Sequence, residues 1–537
     1  MIGTELLAAA VLKALAALDL PDIPVKFERP RNRDHGDWSC NVAMQLAREV
    51  KKNPRDIATQ IVMALEAQEL PDVDAIEVAG AGFINFRLSH SAVGQQVRTI
   101  VDAGPQWGRT LVNDGIATNV EFVSANPTGP LHAGHLRGAF LGDSIARMLD
   151  ATGAKVVREY YVNDAGRQMQ LFAQSIQARM RGEDVPEDGY RGAYIVDLAN
   201  DLAAEGISAD DQSAILERGY RLMLDAIAAT LASAGVTFDE WTSERELHVE
   251  GIANAITELT ARGEIYEQDG AVWLRTTTHG DDKDRVLVKA NGDRTYFAAD
   301  VAYLRHKIGR GFDHMIYVLG ADHHGYIGRL QAIATSWGLP KGAVEVMIAQ
   351  LVNLLRDGEP VRMSKRAGEI LTADEVLDEI GADAARYIYL RTSSDTTLTV
   401  DMAEVIRADK DNPVHYINYS HARIAGIGRK AAEVGFEPMP IDTTDLGLLQ
   451  EPTATALVAQ ISKFPEVVQK AAADRAPHKV ARYCEEVADA FHKFYTECQV
   501  IGPDPELSSA RYWLCEATRI TVAQGLNLLG VTPKDTM

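Results

Sequence analysis

Cysteine is scarce in this chain of 537 residues. The four present, Cys40, Cys484, Cys498 and Cys515, form no Cys-x-x-Cys pair, which excludes a disulfide scaffold and a cysteine-ligated structural zinc. Reduced, buried thiols in a cytoplasmic protein are the expectation. Long hydrophobic runs are missing too. The longest apolar stretch near the N-terminus, residues 6–12, follows Glu5 with no basic segment before it, so neither a secretory leader nor a membrane span is expected. Positive charge is in deficit: 54 Lys+Arg against 76 Asp+Glu leave −22, which rules out a simple basic coat for nucleic acid. Short-period repeats and low-complexity tracts are absent, and ordinary glycine and proline contents exclude wholesale disorder.

What is present is core material, 46% hydrophobic residues, in a length that corresponds to about three or four domains. Residues 1–108 read as a small α/β unit. It comprises an amphipathic first helix, a strand at 25–28, helices over 42–50 and 54–65, and a strand pair at 76–78 and 83–88 hinged by Gly80 and Gly82. Residues 109–400 read as a parallel α/β domain. A strand–loop–helix–strand unit runs from Asn119 to about 170, and a helical insertion covers about 171–290. Strands at 272–274, 286–289, 315–319 and 344–349 then complete a split sheet. Residues 401–537 show helical periodicity only, with breakers at 435–440, 477 and 502–505, and are assigned to an all-α bundle.

The most informative segment is 120–135, Val-Glu-Phe-Val-Ser-Ala-Asn-Pro-Thr-Gly-Pro-Leu-His-Ala-Gly-His. An apolar strand runs into a breaker-rich loop and then a helix to about residue 149, whose first amides can bind phosphate. Gly129 and Gly134 have P-loop spacing, but His135 stands at the lysine position and Leu136 at the Ser/Thr position, which disfavours a Walker site. His132 and His135 face the same way in the first turn. Each could donate an N–H to phosphoryl oxygens; a helix cap or a metal pair is the alternative. Gly134 removes a side chain where a nucleotide must approach the backbone. A second cluster, residues 356–368, carries Met363, Ser364 and Lys365 on a polar loop ahead of a helix opened by Thr372, with Glu375 in capping-box spacing. Alone, Lys365 reads as a solvated lysine.

Together, His-x-Gly-His at His132–His135 and Met-Ser-Lys-Arg at 363–366 resemble the paired signatures of class I aminoacyl-tRNA synthetases. The similarity is greatest to the arginyl-tRNA synthetase family. It is carried by residues 121–135, by Arg-Thr-Tyr-Phe-Ala-Ala-Asp at 294–300, by Gly-Ala-Asp-His-His-Gly at 320–325, by residues 412–423, and by Gly-Ala-Gly-Phe-Ile-Asn at 80–85. The resemblance implies a Rossmann-like parallel-sheet catalytic domain with a helical insertion, a small α/β N-terminal domain touching the D-loop of tRNA, and an all-α anticodon-binding bundle. It further implies that L-arginine and ATP, with Mg²⁺ accompanying the nucleotide, give arginyl-adenylate, which passes to the 2′-hydroxyl of the terminal adenosine of tRNA(Arg). Adenylate formation in this family requires tRNA. A cytoplasmic monomer is implied as well.

By the same resemblance, His132, His135 and Lys365 are catalytic, and Gly134, Met363 and Ser364 join them around ATP. Tyr296 and Asp300 face the guanidinium, with Glu121 as a further candidate; Ser124, Asn126, His135 and His323 hold the α-amino and carboxylate end. A resident metal is not implied. Two positions depart from the family pattern: Arg362 replaces the second signature's usual first lysine, and Arg366 its usual last serine. Because a planar guanidinium cannot be neutralised, carboxylate acceptors are a chemical requirement of any arginine site.

An acidic chain that binds tRNA must gather its basic residues on a track. Residues 26–55 carry eight Lys/Arg and four Asp/Glu, whereas 183–217 hold ten acids and one arginine. Further basic groups lie at Arg407, Lys410, Arg423, Arg429 and Lys430, and at Lys463, Lys470, Arg475, Lys479 and Arg482. Tyr416, Tyr419 and Trp513 are candidate stacking platforms or core residues. The rival readings are a nucleotidylyltransferase, which is normally far shorter, a metal-dependent phosphoesterase using Asp322-His323-His324, a silent tRNA-binding paralogue, and a cysteinyl synthetase, which would need zinc-ligating cysteines.

Overall fold

The computed structural model describes residues 4–30, 35–68, 70, 72–361, 371–407 and 413–537. Arg362, Met363, Ser364, Lys365, Arg366 and Lys410 lie outside the described residues. The N-terminal unit pairs strands Phe27–Glu28, Trp38–Cys40, Phe83–Leu88 and Val73–Ala79 in that order, all antiparallel. Helices Thr4–Ala17, Val42–Val50 and Pro54–Glu66 cover it around a core that includes Val11, Leu46, Ile61 and Phe86. Pro54 starts its helix because Asn53 accepts from the Arg55 amide and proline needs no amide partner there.

The centre of the molecule is a five-stranded parallel sheet in the order Val344–Ala349, His314–Gly320, Ala117–Phe122, Lys155–Val162, Glu240–Ser243. Chain order runs outward from Ala117–Phe122 on one side and outward from His314–Gly320 on the other, so the sheet reverses between these two neighbours. In open α/β sheets, ligands bind beyond the strand ends at such a reversal. Helix Ala133–Ala151 lies close on Ala117–Phe122 because Gly142 has no side chain; a Cβ there would run into the Phe122 ring.

The insertion is mostly helical, as expected, but its strands depart from the expected split sheet. Helices Arg167–Met180, Ala193–Ala204 and Gln212–Ser233 are followed by an unexpected strand, Glu240–Ser243, which joins the central sheet at its edge. The strands expected at 272–274 and 286–289 form, as Ala271–Leu274 and Arg285–Val288, but in a separate antiparallel sheet with Ile265–Gln268. Asp269 and Gly270, both at positive φ, make the tight turn between Ile265–Gln268 and Ala271–Leu274.

Helices Pro413–Glu433, Pro452–Ile461, Phe464–Ala473, Pro477–Glu497 and Pro505–Leu529 form the C-terminal bundle. It is joined to the catalytic domain by polar as well as apolar contacts. Arg386, 1% exposed, donates to the carbonyls of Leu529 (3.0 Å) and Ala234 (2.9 Å) and pairs with Asp143 on helix Ala133–Ala151. One guanidinium thus ties together the bundle, the insertion and the helix that begins at the candidate site. Its removal leaves Asp143 to Arg147 at 2.8 Å and Arg158 at 3.5 Å. Replacing Arg386 with Ala is therefore expected to destabilise the protein by about 3 kcal/mol, the lower end for breaking a buried pair. Urea unfolding measures this, and an unchanged midpoint would refute it.

Candidate active site

Beyond the ends of Ala117–Phe122 and His314–Gly320 opens a cleft of about 640 Å³. Its floor is made by an unusual turn. Immediately after the strand, Val123 has φ +68° and Ser124 φ +42°, a region that a β-branched residue adopts only when its surroundings enforce it. The turn aims the Ser124 hydroxyl so that it accepts from the Tyr161 amide at 3.1 Å and donates to Glu121 Oε1 at 3.3 Å.

His132 is the N-cap of helix Ala133–Ala151. Its Nδ1 accepts from the Gly134 amide and His135 Nδ1 accepts from the His132 amide, each at 3.1 Å, so two imidazoles make a reciprocal capping box. Their rings stack with centroids 3.7 Å apart. Because both Nδ1 atoms act as acceptors, the ring proton is assigned to Nε2, which makes each Nε2–H a donor at the positive end of a helix. The capping and phosphate-donor readings of this pair are therefore compatible: the cap fixes the tautomer that the donor requires.

The loop that carries the histidines meets the chain that leaves the second cluster. The Ala373 amide donates to Leu131 O at 2.8 Å, the Ala133 amide donates to Leu371 O at 3.3 Å, and His132 and Thr372 form an isolated bridge. Thr372 also caps helix Ala373–Ile380 with Glu375 in the expected reciprocal box. Lys365 is six residues from Leu371, within about 20 Å of extended chain.

Glu121, Ser124, Asn126, His132, Gly134, His135, Asp300 and His323 all line the cleft. Tyr296 does not: it starts helix Tyr296–Gly309 with its side chain 68% exposed, near Gly166. Asn126 donates to Gln168 at 2.6 Å, and His323 sits at the end of strand His314–Gly320, 3.6 Å from Asp322. Asp300 is one turn into its helix. Burial, then the carboxylates of Glu244 and Glu121, push its carboxyl up to about 7, against the pull of Arg329.

Sequence reasoning missed several lining groups. Tyr161, Tyr303, Tyr317 and Tyr326 surround Asp300 and Glu121. A signal was available for Tyr161 and Tyr317, which lie in expected strands. Among the described residues, no cluster of three or more His, Cys, Asp or Glu groups could hold a metal ion, and no helix is long and apolar enough to cross a membrane.

The basic track is thinner than the sequence suggests. Arg29 stacks on Trp38 at 4.2 Å and pairs with Glu466 at 3.8 Å, linking the N-terminal unit to the bundle, and Arg475 pairs with Glu345 of the central sheet at 3.2 Å. Trp513 is half-buried and donates to Met439 O, and Tyr416 packs half-buried against His492. Tyr419 is exposed, stacked between His415 and His492 with Arg423 across its face.

Comparison with known proteins agrees with this arrangement along the whole chain. Residues 5–88 match the family described as arginyl tRNA synthetase N terminal domain, 113–426 the class I (R) tRNA synthetase catalytic domain, and 417–537 the DALR anticodon binding domain. An arginine–tRNA ligase of Kineococcus radiotolerans is 45% identical over 547 residues, covering 99% of this chain and 98% of that one. One of Frankia alni is 45% identical over 548 residues, with 99% of each chain covered. The solved arginyl-tRNA synthetase of Thermus thermophilus shares the fold over 100% of both chains, with a TM-score of 0.78 at 23% identity.

Proposed function

The chain belongs to the arginyl-tRNA synthetase family of class I, and from that premise we propose how its residues divide the work of arginine–tRNA ligation. The catalysed reaction is the aminoacylation of tRNA with arginine at the expense of ATP. In the first step an oxygen of the arginine carboxylate attacks the α-phosphorus of ATP, and the bond to pyrophosphate breaks. In the second, the 2′-hydroxyl of the terminal adenosine of tRNA(Arg) attacks the carbonyl carbon and AMP leaves. The protein positions the reactants and stabilises charge. His132 and His135 donate from Nε2 to phosphoryl oxygens, with Gly134 leaving room for the nucleotide, while Met363, Ser364 and Lys365 are assigned to ATP, with Lys365 for the charge on the departing pyrophosphate. Mg²⁺ travels with ATP on the phosphates.

At the other end of the cleft, Asp300 receives the guanidinium with Glu121 beside it, and Tyr296, exposed at the start of the same helix, is assigned to the guanidinium by family resemblance. Ser124, Asn126, His135 and His323 hold the α-amino and carboxylate groups. Residues 1–108 meet the D-loop corner of the tRNA, 109–400 do the chemistry, and 401–537 read the anticodon, with Tyr419 and Arg423 as an exposed stacking platform. A monomer follows from the family resemblance alone, and four buried free cysteines suit the cytoplasm.

The observation that supports this reading is the pairing of Leu131–Ala133 with Leu371–Ala373, which sets the chain that follows the second signature beside the histidines of the first. The test is ATP–pyrophosphate exchange over a panel of amino acids, with and without tRNA(Arg). Exchange is expected with arginine and tRNA together. Its absence under every condition sinks the proposal.

A further inference from the structure

Directly beneath the arginine end of the cleft lies a group that the reaction described above does not use. Lys307, on the buried face of helix Tyr296–Gly309, is 0% exposed. A lysine at that depth loses its hydration and must be held by charge and hydrogen bonds. Its Nζ lies 2.6 Å from Glu121 Oε2 and 3.9 Å from Glu159 Oε2, and sits over the rings of Tyr303 (4.5 Å) and Tyr317 (4.1 Å). Glu159 is met from the other side by Arg310, Thr242 and Asn119. Formal charge inside this set balances, with two carboxylates against one ammonium and one guanidinium.

The two oxygens of Glu121 have different surroundings. Oε2 is fixed from below by Lys307 and by the Tyr303 hydroxyl at 2.8 Å. That hydroxyl also lies 2.9 Å from Glu159 Oε1. Having a single proton, it can serve one carboxylate at a time, so the ammonium, with three N–H donors, supplies the permanent bond. Oε1 meets the Ser124 hydroxyl at a long 3.3 Å, and Glu121, like Asp300, lines the cleft.

We propose that Lys307 is a positioning residue for the amino-acid substrate: it clamps one oxygen of Glu121 from beneath the cleft and so presents the other to the arginine guanidinium. The inference rests on the reading of Asp300 and Glu121 as the guanidinium acceptors. Lys307 never touches substrate. It removes a rotamer choice from Glu121 before arginine arrives, so that the carboxylate need not be ordered on binding.

The test uses the full-length enzyme with tRNA(Arg) in pyrophosphate exchange. Lys307→Met keeps the unbranched stem and loses the ammonium. It is expected to raise KM for arginine about tenfold or more while KM for ATP stays within about twofold. A merely structural role would move both together. Glu121→Gln is expected to raise KM for arginine as well, and adding Lys307→Met to it to change KM by less than about twofold, because the two act as one unit. Tyr303→Phe, which keeps the packing, is expected to give a rise of about threefold, and it serves with Glu121→Gln if Lys307→Met does not fold. Unchanged KM for arginine in Lys307→Met, full multiplication of the two effects in the double variant, or no response in both Glu121→Gln and Tyr303→Phe overturns the inference. Failure of the wild-type enzyme to support arginine-dependent exchange overturns instead the reading on which it rests.

Discussion

Alanine at His132 or at His135 is expected to lower kcat for arginine-dependent exchange by about 10²–10³-fold, the typical loss when one preorganised donor to a developing negative charge is removed. The double variant should fall short of the product, since the rings stack at 3.7 Å and each holds the other's position. The difficulty is that His132 also caps its helix, and loss of an N-cap alone destabilises by about 1 kcal/mol. Asparagine separates the two roles. His132→Asn retains an acceptor for the Gly134 amide and lacks the reach of the ring Nε2–H. Its thermal midpoint should stay near wild type while kcat falls as far as in His132→Ala. A His132→Asn enzyme with wild-type kcat would show that capping is the residue's whole contribution.

That double role bears on what could be read from the chain. The strand, loop and helix around residues 117–151 were legible because an apolar run, a cluster of Pro and Gly, and a 3.6-residue period follow one another without conflict. Strands Lys155–Val162 and Val344–Ala349 lie where alternation places them. Glu240–Ser243 was not legible: it is a four-residue edge strand of Glu-Trp-Thr-Ser, half-exposed and flanked by helices, and it enters the sheet through tertiary pairing with Glu159–Val162. The antiparallel turn was legible but missed, since Asp269-Gly270 between apolar runs is a hairpin signal. Lys307 carries no local mark. A lysine near the end of an amphipathic helix reads as solvated, and only the packing of that helix against two strand-borne glutamates reveals it as buried.

The largest effect on substrate recognition is expected at Asp300. Asp300→Asn removes the charge facing the guanidinium and leaves that cation in a partly desolvated pocket, a loss of about 2–5 kcal/mol. KM for arginine should therefore rise on the order of 10²-fold or more, with KM for ATP nearly unmoved. The acidity of the group adds a pH signature. Burial and the carboxylates of Glu244 and Glu121 hold Asp300 at about 7 in the arginine-free protein, whereas arginine stays cationic throughout and binds the ionised acid. Below pH 7, binding must first expel a proton, so KM for arginine should climb by up to tenfold per pH unit as pH falls from about 7 towards 5, and Asp300→Asn should abolish that climb. Stability runs with the opposite sense. Because the folded pKa lies above the unfolded value near 3.9, the folded state binds more protons between about pH 4 and 7, and the contribution of Asp300 is lost as pH rises through that window. Without arginine, Asp300→Asn should consequently melt higher than wild type at pH 8, by about 2 °C or more, and at the same temperature near pH 4. A KM for arginine that is level between pH 6 and 8 in the wild-type enzyme, together with superimposable melting of the two proteins at pH 8, would place the guanidinium elsewhere in the cleft.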